Sequence, residues 1–588
     1  MSPGQAIVLV TPVFLALMAL EWAVDRARGR HSIALGDAID SLNLGMLSQT
    51  SAVFTALLRV GLYTLAWQHL ALWRHDAFWT TWYGWLLALL LYDFCYYWLH
   101  RMGHEVAVLW AAHAVHHQSQ RYNLSTALRQ TSSGALLGWL FYLPMALAGV
   151  PPLVFVVVGL VDLLYQFWVH TEQVGRLGWF DRWFCSPSNH RVHHAVNDDY
   201  LDRNYGGILI VWDRLFGTFR EEDPRQPCVY GTRGLFNSWD PLWANAGVYA
   251  SLARDSWRAR AWGDKLRVWL KAPGWRPADV ARNDPRPAFD LHAHRVLFAP
   301  PLTPALRVFA GVQFALLLGG VALFLWQADR LPAGPAALWF ATLLVGQWAL
   351  AAALQRRIAM GLALMLQAGA LATATGALGL AHWHWLFKPA ALVFAIVTVA
   401  ASPYGTRAAC RSDLKTPARH LLLAALAASL AGDVLLMLPD LFLPGLAAFL
   451  LAHLCYLRLF GSGLPWRTAR GALAAVGCVA LAVYALLLLG GLPAALRLPV
   501  AAYVLAIALM AARALARWRQ PRAPEGSGAV ALSAVLFVLS DTLLATHRFV
   551  QPLPWAQVWV LGSYFAAQAL IVHGMLRGWR ARSQALTD

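Results

Sequence analysis

Nine of the 20 histidines fall between His100 and His194, a stretch to which uniform scatter would give about three. They come in bunches: His100 and His104 in LHRMGHE, His113, His116 and His117 in AHAVHHQ, His170 in FWVHTEQ, and His190, His193 and His194 in NHRVHHA. Residues four apart on a helix share a face. The pairs His100/His104, His113/His117 and His190/His194 therefore each aim two imidazoles one way, and His116 and His193 add rings beside them. Neutral imidazole binds iron, zinc, copper and nickel. A tetrahedral ion takes four ligands, so this set suits two ions with open coordination positions. The 6 cysteines form no CxxC pair, which argues against a thiolate site or a disulfide framework.

A second set of chemically capable residues lies far downstream. Lys388, Asp433, His453 and Asp541 sit in or beside apolar runs. An ionisable group inside a membrane helix costs several kcal/mol unless paired, and marks function by default. Two readings stay open: a buried structural ion-pair network, or acid/base hydrolysis in which one carboxylic acid gives a proton and another carboxylate orients water. Asp440, near a loop, is a weaker member.

The elements that carry these residues must be membrane helices. Of 588 residues, 59% are hydrophobic and 13% charged, with mean hydropathy +0.49; soluble chains carry roughly 25% charged residues. The net charge of +17 is nearly all arginine in short loops between apolar runs. That is the distribution of topology signals, not of a nucleic-acid groove. The first apolar stretch, Ala6 to Ala23, has no small-residue cleavage site and reads as a retained anchor.

Arg26, Arg28 and Arg30 place the end of that anchor in the cytoplasm. Runs at Leu42–Leu72 and Thr81–Leu99 return the chain to that side, and a hairpin broken at Pro151 and Pro152 returns it again. All nine histidines then meet on one face, the cytoplasmic one, at a membrane expected to be a bacterial inner membrane. Residues 176–300 are the most polar part and read as a helical cap over the site. Ten further apolar runs follow, with arginine clusters such as Arg356-Arg357 and Arg407 to Arg419 after every second one. About fifteen crossings result, in which Lys388, Asp433 and Asp541 share the outer half of the bilayer and His453 lies near its middle. The fold class is all-α: a polytopic membrane bundle with a cap over a dimetal site, and a second membrane bundle at the C-terminal end.

The pattern H-x3-H, H-x2-HH and a later H-x2-HH resembles the fatty acid hydroxylase/sterol desaturase superfamily of membrane di-iron oxygenases. Around the boxes, YDFCYYWLHRMGHEVAVLWAAHAVHHQSQRYNLSTALRQ, LLYQFWVHTE and SPSNHRVHHAVNDDYLDRNYGGILIVWDRLFGTF resemble its alkylglycerol monooxygenase branch; Asn189 departs from that branch, which is expected to carry another histidine there. The resemblance implies two iron ions, with zinc possible in a purified sample, together with O2, tetrahydrobiopterin as electron donor and an ether lipid as substrate. The rival within the superfamily is a sterol, fatty acid or carotenoid hydroxylase or desaturase with a ferredoxin-type donor. Gln166 is a candidate further ligand. Glu105 and Glu172, beside ligands, are candidates for orienting pterin or substrate. Asp93 is a candidate partner for the outer nitrogen of a ligating histidine, and NYGG and WDRLFGTF are expected to support the site. From about residue 384, KPAALVFAIVTVA, LAGDVLLMLPDLFLPGLAAFLLAHLCYLRLF, LFVLSDTLLATHRF and SYFAAQALIVHG resemble the YhhN/TMEM86 family, which includes lysoplasmalogenases. That resemblance implies vinyl-ether hydrolysis carried by Lys388, Asp433, His453 and Asp541. The expected division is residues 1–383 for the oxygenase and 384–588 for the second unit. The oligomeric state stays open.

Overall fold

The computed structural model describes residues 2–403 and 418–585, so Arg407 and Arg411 of one arginine cluster lie outside the described residues. The regular elements among those residues are all helices, with no named strand and two isolated bridges, Phe184 to Leu209 and Ala195 to Tyr230. Packing divides the chain into Met1–Pro332 and Ala333–Asp588.

In the first unit the helices used below are α1 (Pro3–Ala27), α2 (Leu35–Ala56), α3 (Trp82–Glu105), α4 (Ala107–His117), α5 (Pro152–Trp168), α6 (Pro187–His194), α7 (Pro241–Arg258) and α8 (Pro304–Gln327). Their starts follow local chemistry. Thr81 caps α3 by accepting from Gly84 N at 3.1 Å. Ser186 caps α6, with Pro187 in its first turn, and Asp240 caps α7. Each such cap satisfies a backbone donor that the helix leaves unpaired. Pro151 and Pro152 end one segment and begin α5, as expected for proline in a first turn. Tyr63 stacks on Phe155 with ring centroids 4.0 Å apart, within a core that includes Ala88, Met145 and Val158. A fully buried pair, Arg129 with Asp40 at 2.6 Å, ties α2 to the segment after α4. Removing one partner of such a pair costs about 3–5 kcal/mol, because the other is left charged and buried.

The second unit is a bundle of α9 (Ala333–Leu354), α10 (Met360–Ala377), α11 (Ala381–Ala401), α12 (Ala418–Leu435), α13 (Phe442–Gly461), α14 (Arg470–Leu489), α15 (Ala494–Trp518), α16 (Ser527–Phe549) and α17 (Ala556–Gln584). Its core is built from small and aromatic residues such as Ala391, Ala395, Phe449, Tyr456, Phe537 and Tyr564. Gly432 lets α13 approach α12: an added Cβ would lie 2.5 Å from the Phe449 ring.

The chain is an integral, multi-pass membrane protein. Among the described residues, 11 helices are long and apolar enough to cross a bilayer, where the sequence reading counts about fifteen runs. The first run and the ten after residue 300 are all present. The difference lies in the run Leu42–Leu72, which divides at a π-helical turn, Leu57–Gly61, into the end of α2 and a short helix Leu62–Leu70, and in the histidine-bearing stretch. There Gly134–Val150 breaks into short pieces, α5 has 17 residues, and α3 carries Asp93, His100, Arg101, His104 and Glu105.

Candidate metal and carboxylate sites

The nine histidines form two groups. His100, His104, His113, His117 and His193 make one, and His116, His170, His190 and His194 the other; in each, the nearest ring nitrogens lie within 4.8 Å of one another. Helices α3, α4 and α6 supply eight of the rings, and His170 follows α5. The rings of His117 and His194 stack across the two groups at 4.3 Å. Eight of the nine are buried, and His113 is half-buried.

Five of the outer nitrogens are spoken for. His100 Nδ1 donates to Tyr205 O at 2.8 Å, His116 Nδ1 to Arg129 O at 3.0 Å, His170 Nδ1 to Gln166 O at 2.8 Å and His193 Nδ1 to Arg203 O at 3.0 Å. His104 Nδ1 faces Asp202 at 3.2 Å. A carbonyl only accepts, so these Nδ1 atoms carry the hydrogen and each Nε2 presents a lone pair. The Nε2 atoms of His100, His104, His193 and His194 are buried without a hydrogen-bond partner. His116 Nε2 and His170 Nε2 face each other at 3.1 Å. Two buried lone pairs at that distance repel unless a cation lies between them. Imidazole binds a metal at about 2.0–2.1 Å, which puts two ligands of one ion about this far apart. The donor set therefore fits metal ions, and the fixed tautomers are those that metal-binding histidines show. Burial pushes the imidazoles of His113, His117, His190, His193 and His194 well below their ordinary value and His116 down to about 4, so the rings are neutral and able to ligate at pH 7.

A network under the loop 202–220 holds these carbonyls. Asn204 takes a left-handed backbone, φ 57°, a conformation asparagine tolerates better than most residues. Its side chain donates to Asn189 O and Arg220 O and accepts from Arg220 N. Asp213 accepts from Tyr205 N and Gly206 N at 2.8 and 2.7 Å and from the Thr218 hydroxyl at 2.6 Å. Side-chain-free Gly207 lets this loop lie against α3 and α5, since a Cβ would meet the Asp162 and Asp93 carboxylates at 2.8 and 2.9 Å. NYGG and WDRLFGTF thus position Tyr205 and, through it, His100. Asp93 corrects the expectation made for it: it touches no histidine. It accepts from Ile208 N, Leu209 N and Trp212 Nε1, so it anchors the loop rather than a ligand.

Gln166 belongs to neither group. Its amide accepts from Tyr96 and donates to Asp162 at 2.6 Å, and only its backbone carbonyl meets His170. Glu105 pairs with Arg101 at 2.8 Å. Glu172 accepts from the Tyr230 hydroxyl at 2.9 Å, and burial raises its carboxyl above the ordinary range. Asn189 donates to Asp181 O and Phe184 O, a purely structural post.

A cavity of about 640 Å³ opens onto His100, His113, His116 and His170. Its walls are largely apolar, from Phe14 and Leu15 on α1, Met46 on α2, Leu99 on α3 and Phe314 and Leu318 on α8. Pockets of this size and lining hold apolar ligands.

The second unit has its own polar centre. Lys388 Nζ lies 3.3 Å from Asp433, which also accepts from the Tyr564 hydroxyl at 2.6 Å. His453 Nε2 lies 2.9 Å from the Tyr503 hydroxyl, and that hydroxyl donates to Asp541 at 2.6 Å. Lys388, Asp433, Tyr503, Asp541 and Tyr564 line one cavity of about 570 Å³; His453 stands behind Tyr503. Asp440 is exposed and does not line it. Sequence reasoning missed Tyr503 and Tyr564. Tyrosine in an apolar helix carries no charge to draw attention, and only the partner carboxylates reveal it.

A membrane-embedded helical bundle with two clusters of inward-facing histidines beneath a polar cap defines a histidine-box membrane oxygenase. Residues 85–218 match the fatty acid hydroxylase family model, and residues 383–575 match the YhhN family model. Human alkylglycerol monooxygenase is 38% identical over 311 residues, which cover 52% of this chain and 68% of the relative; the Danio rerio protein of that name is 38% identical over 315 residues with the same coverage. The chain belongs to the alkylglycerol monooxygenase family, and it carries a YhhN domain fused behind the oxygenase. Over that domain Sus scrofa lysoplasmalogenase TMEM86B is 45% identical across 150 residues, 26% of this chain and 61% of the relative. No solved structure matches the chain.

Proposed function

We propose that the chain degrades ether lipids by two routes, one oxidative and one hydrolytic. The first unit hydroxylates the carbon next to the ether oxygen of an alkylglycerol lipid, and the resulting hemiacetal collapses to a fatty aldehyde and a glycerol compound. The observation that carries this reading is the pairing of oriented, neutral imidazoles with an apolar cavity that reaches them. The nine histidines would hold two irons, and the chemistry such a pair supplies is O2 activation, with one oxygen atom inserted into a C–H bond and the other leaving as water. Two electrons and two protons balance that step, supplied by reduced tetrahydrobiopterin. The protein's part is to align the alkyl chain in the cavity, to exclude water there, and to fix the rings of His100, His104, His116, His170 and His193 through their Nδ1 atoms. Glu105 and Glu172 are proposed to orient pterin or substrate, and Gln166 to be a further ligand that must leave Asp162 and Tyr96 to act. The site faces the cytoplasm of a bacterial inner membrane. The functional boundary is proposed at 383/384, a division that the motifs and the YhhN match support, with α9 and α10 packed in the second unit but counted with the first by motif.

The second unit hydrolyses vinyl ethers. Asp433, beside the Lys388 cation, acts as the carboxylate that orients water. Asp541, which meets a tyrosine hydroxyl and no lysine, carries the proton given to the vinyl carbon. His453 holds Tyr503, and Tyr503 holds Asp541.

Membranes containing the protein should release fatty aldehyde from alkylglycerol only with tetrahydrobiopterin and O2, and from a lysoplasmalogen with neither. Oxidative release that ignores the pterin but needs a ferredoxin-type donor would transfer the first unit to the rival hydroxylase class.

A further inference from the structure

The polar cap over the histidine groups carries a face that contact with water does not explain. On its helix Trp262–Leu270, the side chains of Trp262, Leu266 and Leu270 are 82%, 68% and 66% exposed, and Trp257, near the end of α7, is 86% exposed. Single apolar residues on a surface are ordinary, but a contiguous group of large ones marks a contact. Trp262, Leu266 and Leu270 recur every fourth residue and cover about 80° of the helix surface. Val268, on the far side, is buried and holds the helix to the rest of the cap.

The rims of that stripe are basic. Lys265 and Arg267 stand about 60° outside its two edges. Between Trp257 and Lys271 the chain has five cations, Arg258, Arg260, Lys265, Arg267 and Lys271, against one carboxylate, Asp264. Lys265 Nζ lies 5.6 Å from the centre of the Trp262 ring, so this cation sits at the border of the apolar face. An apolar arc with tryptophan on it and cations along its rims is the build of a helix lying in a membrane interface. Its apolar side enters the acyl chains, and its cations reach back to the phosphates. A second copy of this chain suits the face less well, because a two-fold contact through it would set the same cations against one another.

The height of the helix agrees. α3 is mostly apolar from Trp82 to Leu99 and polar from His100 to Glu105, so its C-terminal end stands where bilayer gives way to water. Ala107, two residues further, donates its N–H to Lys271 O at 2.9 Å. That bond sets the end of the helix Trp262–Leu270 at the same level.

We propose that the helix Trp262–Leu270, with Trp257, is seated in the bilayer leaflet on the side of the histidine groups, its axis along the surface and its cations on the lipid phosphates. Seated there it fixes the height of α4, which starts at Ala107 and carries His113, His116 and His117. The metal groups are then held at a set level above the acyl chains. This holds whichever reactions the two units perform.

The test uses full-length protein in vesicles of phosphatidylcholine and phosphatidylglycerol. A nitroxide is attached to single cysteines introduced as Trp262→Cys, Leu266→Cys and Leu270→Cys. Arg225→Cys and Arg282→Cys, exposed elsewhere on the cap, are the controls. The signal of the unsubstituted protein, whose Cys478 is exposed, is subtracted. Collision of each label with O2, which gathers among acyl chains, against collision with a water-soluble nickel chelate reads its depth. Labels at 262, 266 and 270 should lie about 5–10 Å below the phosphates, and those at 225 and 282 should meet the chelate freely. Chelate access at all five positions would place the face in water and overturn the proposal. Exclusion of both reagents at 262, 266 and 270 would mean that protein covers the face, a second copy or another partner, and would overturn it too.

Discussion

The two polar centres of this chain are built on opposite plans. In the first unit one residue type does nearly everything, and short helices deliver it in pairs four residues apart. Five of the nine rings are held by a backbone carbonyl or a nearby carboxylate, so much of the site is set before any ion arrives. In the second unit Lys388, Asp433, Tyr503, Asp541 and Tyr564 come one to a helix, from α11, α12, α15, α16 and α17. The acid/base groups hold one another directly, with no supporting loop. A site that must present empty ligand positions needs outside restraint, because its inner atoms repel. A site of opposite charges and hydroxyls restrains itself.

The largest effect should come from breaking the first plan alone. His116→Ala and His193→Ala each take one ligand from a different group. Each should cost one of two bound metal ions and on the order of 10³-fold of the oxidative activity, while vinyl-ether hydrolysis stays within about twofold. Metal analysis of the purified variants checks this; two ions retained in either variant would break the division into groups. The reciprocal pair, Asp541→Asn and Asp433→Asn, should cost about 10²–10⁴ of hydrolysis and leave metal content untouched. Hydrolysis that persists in both would return Lys388, Asp433 and Asp541 to a structural ion network.

The same contrast explains what the sequence could show. Every histidine of the metal groups was legible, because four-residue spacing is a property of one helix and needs no knowledge of its neighbours. The apolar runs after residue 300 were legible for the same reason, since each run becomes a helix on its own. What could not be read was anything set by two distant segments. Asp93 sits about two turns before His100 and looked like its partner, yet its side chain points to the loop at 208–212. Tyr503 and Tyr564 went unnoticed because only a facing carboxylate gives them a role. The pieces of Gly134–Val150 looked like one helix because apolarity alone does not reveal a break, and packing around Tyr142 and Met145 decides it.

A smaller effect sharpens the second plan. If the asymmetry between the carboxylates is right, Tyr503→Phe should lower the rate constant of hydrolysis by about tenfold, the loss expected when a buried carboxyl group loses one hydrogen bond. Tyr564→Phe should do less, since Lys388 still faces Asp433. Substrate-saturation kinetics on both variants separate the cases, and a larger loss in Tyr564→Phe reverses the assignment of acid and base.

The smallest effect concerns the restraint that the first site needs. Asp213 holds Tyr205 and Gly206 by their N–H groups, and those hydrogen bonds favour its charged form. Burial outweighs them and lifts its carboxyl from 3.8 to about 6. In the unfolded chain the group titrates near 3.8, so between about pH 4 and 6 the folded protein holds a proton that the unfolded chain has released. Linkage then makes this group's contribution to stability fall as pH rises through that window and stay flat above it. Asp213→Asn cannot titrate. The melting temperature of the wild type minus that of Asp213→Asn should therefore shrink by a few °C from pH 4 to pH 6 and then stay constant. A difference that grows with pH would mean that the hydrogen bonds from Tyr205, Gly206 and Thr218 outweigh burial. The loop would then be held by a charge rather than by a buried neutral acid.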